Sequence, residues 1–283
     1  LLKAVGLAAI GTVADVVPLI DENRILVRHG LKLLQATPLV GVQALMRVAE
    51  IDPRRPLEAE DIGFKLGPRL NAAGRMGQAE LGVELLTTSD PRRAETLASY
   101  INELNDERKS LERSIFRAAD KQAREKFDPA RDPALVLADH QWHPGIIGIV
   151  AGRIAEKYHR PTVMIARDPL GVKSATGSAR SVPGLNLHAA LADCAAELEA
   201  HGGHEAAAGL RVADDRIPAF RRAFCAVVAR EIPEATRQAE LQVDAETALT
   251  CLNRQTVGQI ESLAPFGHGN HRPVLCTSQV RLD

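Results

Sequence analysis

One uninterrupted helical pattern, from Pro91 to about Phe127, constrains the fold of this chain more than any other feature. Proline suits the first position of a helix because the N–H that it lacks would have no partner there. The apolar residues at helical spacing are Leu97, Ile101, Leu104, Leu111, Ile115 and Ala118. About 35 residues at 1.5 Å each would give a helix of about 50 Å. The segment is predicted to connect two domains rigidly, although a helical hairpin within one domain has the same spacing.

The residues on the two sides of this segment follow different periods. Before it, apolar positions recur at intervals of three and four residues, which predicts helices. The predicted helices are Leu1–Ala14, Glu22–Gln35 with Asp21 as a possible N-cap, and Leu39–Glu50. After about residue 133, short apolar strands alternate with helices, which predicts an α/β domain with a mostly buried sheet.

The elements predicted for this α/β part can be placed along the chain. The strands are Ala134–Ala138, Pro161–Ala166, Val172–Arg180, Ala206–Val212 and Leu241–Asp244. The helices are Gly145–Tyr158, Leu185–Ala200, Ile217–Glu231 and Thr256–Ala264.

Charge and composition limit the classes of partner. The formal net charge is -1 and aromatic residues make up 3%, so an extended base-stacking platform is not expected, and any nucleic acid would be recognised through its sugar-phosphate backbone. No apolar run approaches the roughly 20 residues of a membrane span. The four cysteines lack metal-ligand spacing, which predicts reduced thiols in a cytoplasmic protein.

The segment His201–Gly209 carries two glycines, Gly202 and Gly203, directly before His204. Successive glycine amides can point into one concavity, and the histidine can donate a hydrogen bond to an oxyanion. The segment therefore suits a phosphate ligand, although a tight turn leading into a strand fits the same residues.

Ser178 and Arg180 end a predicted strand before the helix that is expected to begin near Leu185. A hydroxyl and a guanidinium near a helix N-terminus favour anion binding. By contrast, Trp142 and His143 are better explained by core packing and helix capping.

Two sets of candidate polar residues lie in the helical part of the chain, one at Asp15 and one at Arg69, Asn71 and Arg75. Asp15 sits among apolar neighbours near the end of the first helix, where a carboxylate needs a hydrogen-bonded partner or a cation. From the residues alone, a capping role is favoured. Arg69, Asn71 and Arg75 flank a small-residue turn that could approach a ligand, and one of the two arginines can equally be a solvated surface residue.

Taken in chain order, these features resemble a known family, the RecJ single-strand-specific exonucleases of the DHH phosphoesterase superfamily. The blocks that carry the resemblance are Gly11–Leu19, Gly67–Met76, Trp142–Val150, Gly177–Ser181 and His201–Gly209.

The resemblance implies an α/β protein with four parts. Residues 1–90 would be the helical C-terminal part of a DHH catalytic domain, and residues 91–127 the long connecting helix. Residues 128–264 would form a DHH-associated α/β domain that binds substrate, and residues 265–283 the start of an OB-like barrel.

The resemblance also implies a function. It predicts a metal-dependent 5′-to-3′ exonuclease that degrades single-stranded DNA in recombination and repair, with two Mn²⁺ or Mg²⁺ ions. Asp15 would be a catalytic metal ligand, and Arg69 and Asn71, somewhat more than Arg75, would bind phosphate. The remaining phosphate-binding residues would be Ser178, Arg180, Gly202, Gly203 and His204. A single-strand-binding protein or a helicase is a possible partner by resemblance, and the oligomeric state stays open.

Two motifs of the family, paired aspartates and an Asp-His-His triplet, are not found before Gly11. We therefore expect a fragment that begins within the catalytic domain and is inactive alone. The alternatives are a phosphodiesterase for short oligonucleotides or cyclic dinucleotides, and a non-catalytic nucleic-acid-binding module.

Overall fold

The computed structural model describes residues 2–128, 132–232 and 241–278. The chain forms two compact units, of which one comprises residues 1–106 and 241–283 and the other residues 107–240. In the described residues no helix is both long and apolar enough to cross a membrane.

The first unit is mainly helical. Its helices are α1 (Leu2–Ala14), α2 (Asp21–Gln35), α3 (Val40–Val48), the single turn α4 (Ala59–Asp61), α5 (Gly67–Arg75) and α6 (Ala79–Thr87), and a π-helical turn (Ile62–Leu66) precedes α5. Their apolar faces form one core that includes Val27, Leu45 and Ile62. The predicted helices are confirmed, but Asp21 is not an N-cap, because α2 begins at Asp21 and Ile20 precedes it.

The long helix α7 runs without interruption from Pro91 to Lys126, as predicted, so the hairpin alternative is wrong. Leu97, Ile101 and Leu104 pack into the core of the first unit. Further along, Ala118 is exposed while Ala119 is buried. The buried stripe therefore shifts by one residue from the predicted one.

The second unit is built on a five-stranded sheet in the order β1-β2-β3-β5-β4. The strands are β1 (Leu135–Asp139), β2 (Thr162–Ala166), β3 (Ala175–Arg180), β4 (Ala200–Gly203) and β5 (Ala207–Val212). The helices are α8 (Pro144–Tyr158), α9 (Leu187–Ala192) and α10 (Ile217–Glu231). β1 and β2 are parallel and joined by α8, and the other neighbouring pairs are antiparallel. A parallel pair needs such a crossover, and β2 is buried along its whole length.

The strand β4 was not predicted. The helix expected over Leu185–Ala200 ends at Ala192, and after a 3-10 turn (Ala195–Glu197) the chain joins the sheet, where the Glu199 N–H donates to Arg211 O at 2.9 Å. β4 has the sequence Ala-His-Gly-Gly, which lacks the β-branched and aromatic residues that mark strands. Its hydrogen bonds to β5 decide its conformation.

After residue 240 the chain returns to the first unit. It forms β6 (Ala245–Glu246), a 3-10 turn (Leu249–Cys251), α11 (Arg254–Glu261) and β7 (Leu275–Cys276), and β6 pairs with β7 in parallel. The strand predicted over Leu241–Asp244 is wrong, because the pairing begins at Ala245. The segment that was expected to begin an OB-like barrel, residues 265–283, contains β7, and its residues after 278 lie outside the described ones.

Asp120 on α7 anchors the end of α8, and this contact should depend on pH. Its carboxylate accepts hydrogen bonds from Lys157 Nζ at 2.5 Å and Tyr158 Oη at 2.9 Å, and pairs with Arg124 at 2.7 Å. Burial alone would raise the pKa of Asp120, but these partners outweigh it and the pKa is lowered. The carboxylate therefore stabilises the fold above about pH 4, and this contribution is lost as the pH falls through the folded-state pKa.

We expect Asp120→Asn to lower the free energy of unfolding by about 1–3 kcal/mol at pH 7, because it removes charge-assisted hydrogen bonds. The difference from wild type should shrink as the pH falls below about 4. Urea denaturation across this range measures it, with the exposed Asp215→Asn as the matched control. A difference that is constant with pH would contradict this role.

Candidate nucleic-acid interface

Ser178 and Arg180 lie on the face of β3 that packs against α8. The Arg180 Nη1 donates to Ser178 Oγ at 3.0 Å and to Ala179 O at 2.8 Å, which orients the guanidinium. A Cβ added to Gly148 would lie 2.9 Å from Ser178 Oγ and 3.0 Å from Arg180 Nη2. Glycine at 148 therefore lets the helix approach the strand. The sequence predicted that the N-terminus of the following helix, α9, would lie beside these two residues, but α8 lies there.

An open row of glycines continues from Ser178 across the sheet. Ser178 pairs with Gly209 on β5, and Gly209 pairs with Gly202 on β4. Both glycines are exposed, and a Cβ on Gly202 would meet nothing within 4 Å. Internal packing therefore does not require glycine at 202, and its absent side chain leaves a flat floor beside Ser178.

The turn between β4 and β5 requires glycine at 203. Gly203 has a φ of +142°, and a Cβ there would lie 2.5 Å from Ala207 O. The next residue, His204, donates its backbone N–H to Ala207 O at 2.9 Å, and its Nδ1 accepts from the Ala206 N–H at 3.4 Å. Because Nδ1 accepts, the neutral ring carries its proton on Nε2, which makes this exposed side chain a hydrogen-bond donor.

The strand register brings these residues together. Arg180 pairs with Ala207, whose carbonyl holds His204, so both side chains belong to the same end of the sheet. We call Ser178, Arg180, Gly202, Gly203 and His204 the strand-end cluster. It combines a guanidinium, a hydroxyl and an imidazole N–H beside an open glycine floor, which is a set of donors suited to an anion.

Asp15 lies at the end of α1 in a strained turn. The Val16 N–H donates to Val13 O and the Val17 N–H to Thr12 O, which closes the helix with Val16 at a φ of +56°. A left-handed conformation costs a residue with a Cβ about 1–2 kcal/mol. Val16 is nevertheless 65% exposed and gains little from burial. The two backbone hydrogen bonds hold Asp15 at the C-cap position, where its carboxylate is exposed.

Arg69 on α5 is half-buried and already has intramolecular partners. It donates to Asn102 Oδ1 at 2.9 Å, Lys65 O at 2.9 Å and Val48 O at 3.3 Å. Burial lowers the pKa of Arg69, but the guanidinium stays charged at neutral pH. These bonds give Arg69 a structural role, whatever else its remaining N–H groups contact.

The other two polar residues on α5 differ in exposure, since Asn71 is exposed and Arg75 is half-buried. The N-terminal end of the same helix lies against α1, where a Cβ on Gly67 would be 3.1 Å from that of Ala14. Asp15 and α5 are therefore neighbours within the first unit.

The described residues contain no group of three or more His, Cys, Asp or Glu side chains that could hold a metal ion. Asp15 can offer one carboxylate oxygen donor, of the kind that Mg²⁺ and Mn²⁺ prefer. The donors among the described residues do not complete such a site.

The preference for structural roles at Trp142 and His143 is confirmed. Trp142 is 4% exposed, and His143 caps α8 by accepting the Gly145 N–H at 3.1 Å. No individual role was predicted for Gly148, which lies in the block Trp142–Val150, or for Gly152. Their spacing of four residues on one helix face is a signal of close packing that could have identified them.

Gly148 and Gly152 form a matched pair for testing the contact between α8 and β3. Gly152→Ala should raise the free energy of unfolding by up to about 1 kcal/mol, because alanine favours helix and its Cβ would lie 4.0 Å from Arg180 Cγ. Gly148→Ala should not raise the free energy of unfolding in this way, because the added Cβ would displace the side chains of Ser178 and Arg180. Urea denaturation of both variants measures the difference, and equal gains would contradict the close approach.

Comparisons with known proteins match nearly the whole chain. A model described as the DHHA1 domain matches residues 131–230, and the RecJ OB domain model matches residues 243–283. The single-stranded-DNA-specific exonuclease RecJ of Bacillus subtilis is 35% identical over 98% of this chain and 35% of its own length. The Escherichia coli protein of the same name is 35% identical over 94% of this chain and 47% of its own length.

Solved structures agree with these matches. RecJ of Thermus thermophilus in complex with Mn²⁺ superposes with a TM-score of 0.86 at 33% identity, covering 98% of this chain and 40% of that one. The Mg²⁺ complex gives a TM-score of 0.85 at 34% identity, covering 96% of this chain and 41% of that one. The chain thus spans less than half the length of these relatives.

Proposed function

Because the chain belongs to the RecJ family of exonucleases, we propose that the protein degrades single-stranded DNA from the 5′ end in a metal-dependent reaction, in recombination and repair. The observation that carries the proposal is the convergence of Ser178, Arg180 and His204 at one end of the sheet. The relatives are named for single-stranded DNA, and the low aromatic content fits recognition through phosphate.

In this proposal the strand-end cluster binds the 5′-phosphate. Arg180 directs two N–H groups at the phosphate oxygens, and its bond to Ser178 fixes the plane of the fork. His204 donates from Nε2. The open floor at Gly202 and the turn at Gly203 allow the phosphate to approach the backbone without meeting a side chain.

Asp15 is proposed as one ligand of a divalent metal, Mn²⁺ or Mg²⁺, the ions bound in the related structures. When bound, such ions activate water and stabilise the leaving oxygen. Arg69, Asn71 and Arg75 are proposed to contact substrate phosphate near Asp15, and the neighbouring positions of α1 and α5 support this grouping.

We propose the domain order that the resemblance implied. Residues 1–90 complete a DHH domain, and residues 91–127 form the long connecting helix. Residues 128–264 form the DHH-associated domain that binds substrate, and residues 265–283 begin an OB-like domain. The family-model matches to residues 131–230 and 243–283 support the order of the last two parts, and the second match begins at residue 243, before the proposed boundary at 265.

Arg180→Ala and His204→Ala should each weaken binding of 5′-phosphorylated single-stranded DNA. Losing a charge-assisted hydrogen bond costs about 1.5–3 kcal/mol, or roughly tenfold to a hundredfold in affinity. Both variants should also reduce the advantage of a 5′-phosphate over a 5′-hydroxyl, and Arg180→Lys should recover part of the loss. Binding of both oligonucleotides at fixed salt measures this, with thermal unfolding as the control. If both alanine variants bind both oligonucleotides as wild type does, the cluster is not a phosphate site.

Asp15→Asn in the intact protein should abolish turnover while leaving binding of single-stranded DNA largely unchanged, because the amide keeps the shape but loses the charge that a metal ligand needs. Nuclease assays with Mn²⁺ and binding assays on the same preparation measure this. Glu22→Gln, an exposed carboxylate of the same unit, is the control. Equal losses of binding and turnover would indicate a folding role for Asp15.

A further inference from the structure

Arg211 lies on the open face of the sheet in the second unit. Every second residue of β5 is buried in the core of this unit, namely Ala208, Leu210 and Val212. Because side chains alternate along a strand, Gly209 and Arg211 belong to the other face, where both are exposed. Gly209 pairs with Ser178 of the strand-end cluster, so Arg211 and Ser178 lie on the same face.

Thr176 is the neighbour of Arg211 on this face. The two residues pair directly across β3 and β5, which places their Cβ atoms about 5 Å apart. Helix α8 packs over β2 and β3, but Thr176 lies near the start of β3 and is exposed. Ala200, which pairs with Arg211 from β4, is exposed as well. The row from Thr176 through Arg211 to Ala200 is therefore accessible to a ligand.

The guanidinium of Arg211 has its donors available. In the part of the chain that the structure describes, it makes no ion pair, hydrogen bond or ring contact. The Glu199 N–H donates to Arg211 O at 2.9 Å, but the Glu199 carboxylate accepts a hydrogen bond from Ser174 Oγ at 2.7 Å. Arg211 therefore presents a permanent positive charge with N–H groups arranged as a fork, which suits the oxygens of a phosphate.

Glycine forms the floor between the two arginines, at positions where the fold does not need it. Gly202 and Gly209 pair across β4 and β5, and neither has a positive φ. The nearest atom to a Cβ added at Gly209 would be Gly177 O, at 3.9 Å. Glycine weakens the interior of a strand and often marks a place where a ligand approaches the backbone closely. The two glycines keep the path from Arg180 to Arg211 free of side chains.

The spacing between Arg180 and Arg211 fits consecutive phosphates. Arg180 Nη1 lies 3.0 Å from Ser178 Oγ, so this guanidinium lies over the row that Ser178 forms with Gly209. Arg211 is two residues further along β5, about 6.8 Å along the strand and about 4.8 Å across to the next strand. The two positions are therefore about 8 Å apart. Neighbouring phosphates of an extended single strand have a similar separation, and the arginine side chain can adjust to the difference.

We propose that Arg211 and Thr176 bind the second phosphate of the DNA strand, next to the 5′-phosphate that the strand-end cluster holds. This rests on the proposed phosphate site. Arg211 donates N–H groups and Thr176 its hydroxyl to the phosphate oxygens, while the strand passes over Gly209. Two phosphate contacts fix the direction of the strand on the sheet and carry no preference for the base.

The test replaces the first internucleotide phosphate of a 5′-phosphorylated single-stranded oligonucleotide by an uncharged methylphosphonate. Wild type should bind this strand roughly tenfold more weakly, because an exposed charge-assisted hydrogen bond is lost. Arg211→Ala should bind the normal strand more weakly by a similar factor and should be insensitive to the methylphosphonate. Binding is measured at fixed salt without divalent metal, so that the strand is not cleaved.

Arg222→Ala is the matched control. Arg222 is also exposed, but it lies on α10, which packs against the buried side of the sheet. This variant should keep the full effect of the methylphosphonate. If Arg222→Ala weakens binding as much as Arg211→Ala does, the loss reflects net charge and the assignment of Arg211 is wrong.

Gly209→Val gives an independent measurement of the path. Valine favours strand, and its Cβ has room, so thermal stability should be unchanged or higher. Binding of single-stranded DNA should nevertheless weaken, because the side chain rises from the floor between the two phosphate positions. Unchanged binding by a folded Gly209→Val would contradict a strand that passes over this residue.

Comparison of 5′-phosphate with 5′-hydroxyl strands in the same assay separates the two proposals. If wild type keeps its 5′-phosphate advantage but tolerates the methylphosphonate, only the assignment of Arg211 and Thr176 is overturned. If wild type shows no 5′-phosphate advantage, the strand-end cluster is not a phosphate site and the second position is overturned with it.

Discussion

The contact between α8 and β3 at Gly148 positions the rest of the second unit's candidate site. Parallel pairing of β1 with β2 requires a crossover, and α8 provides it. The helix then covers the face of β3 that carries Ser178 and Arg180. Because Gly148 has no side chain, the two polar residues fit beneath the helix and bond to each other. The close packing of α8 against β3 therefore orients the guanidinium of Arg180 at the end of β3.

The turn at Gly203, between β4 and β5, organises the other part of the strand-end cluster. Its positive φ and the carbonyl of Ala207 exclude any residue with a Cβ, and the turn fixes which nitrogen of His204 donates. Glu205, which has no ion-pair partner among the described residues, directly follows His204 in sequence.

The helical unit holds its candidate residues differently. Asp15 is presented by a strained turn, and Arg69 is tied to three neighbours by hydrogen bonds. Strain at an exposed valine has no packing compensation on the described surface, and such strain tends to persist at functional sites. The position of Asp15 is therefore set by backbone geometry, while that of Arg69 is set by side-chain contacts.

The sequence by itself determined the long helix, the alternation of strands and helices and the motifs of the site, because periodicity and glycine placement are local properties. It located Trp142 and His143 in structural roles for the same reason. Only the tertiary structure decided that β4 is a strand, that Ala119 replaces Ala118 in the buried stripe, and that Arg69 has internal partners. It also decided that Ser178 and His204 share one sheet end, since β3 and β4 each pair with β5. Pairing between distant segments supplies hydrogen bonds that no local pattern encodes.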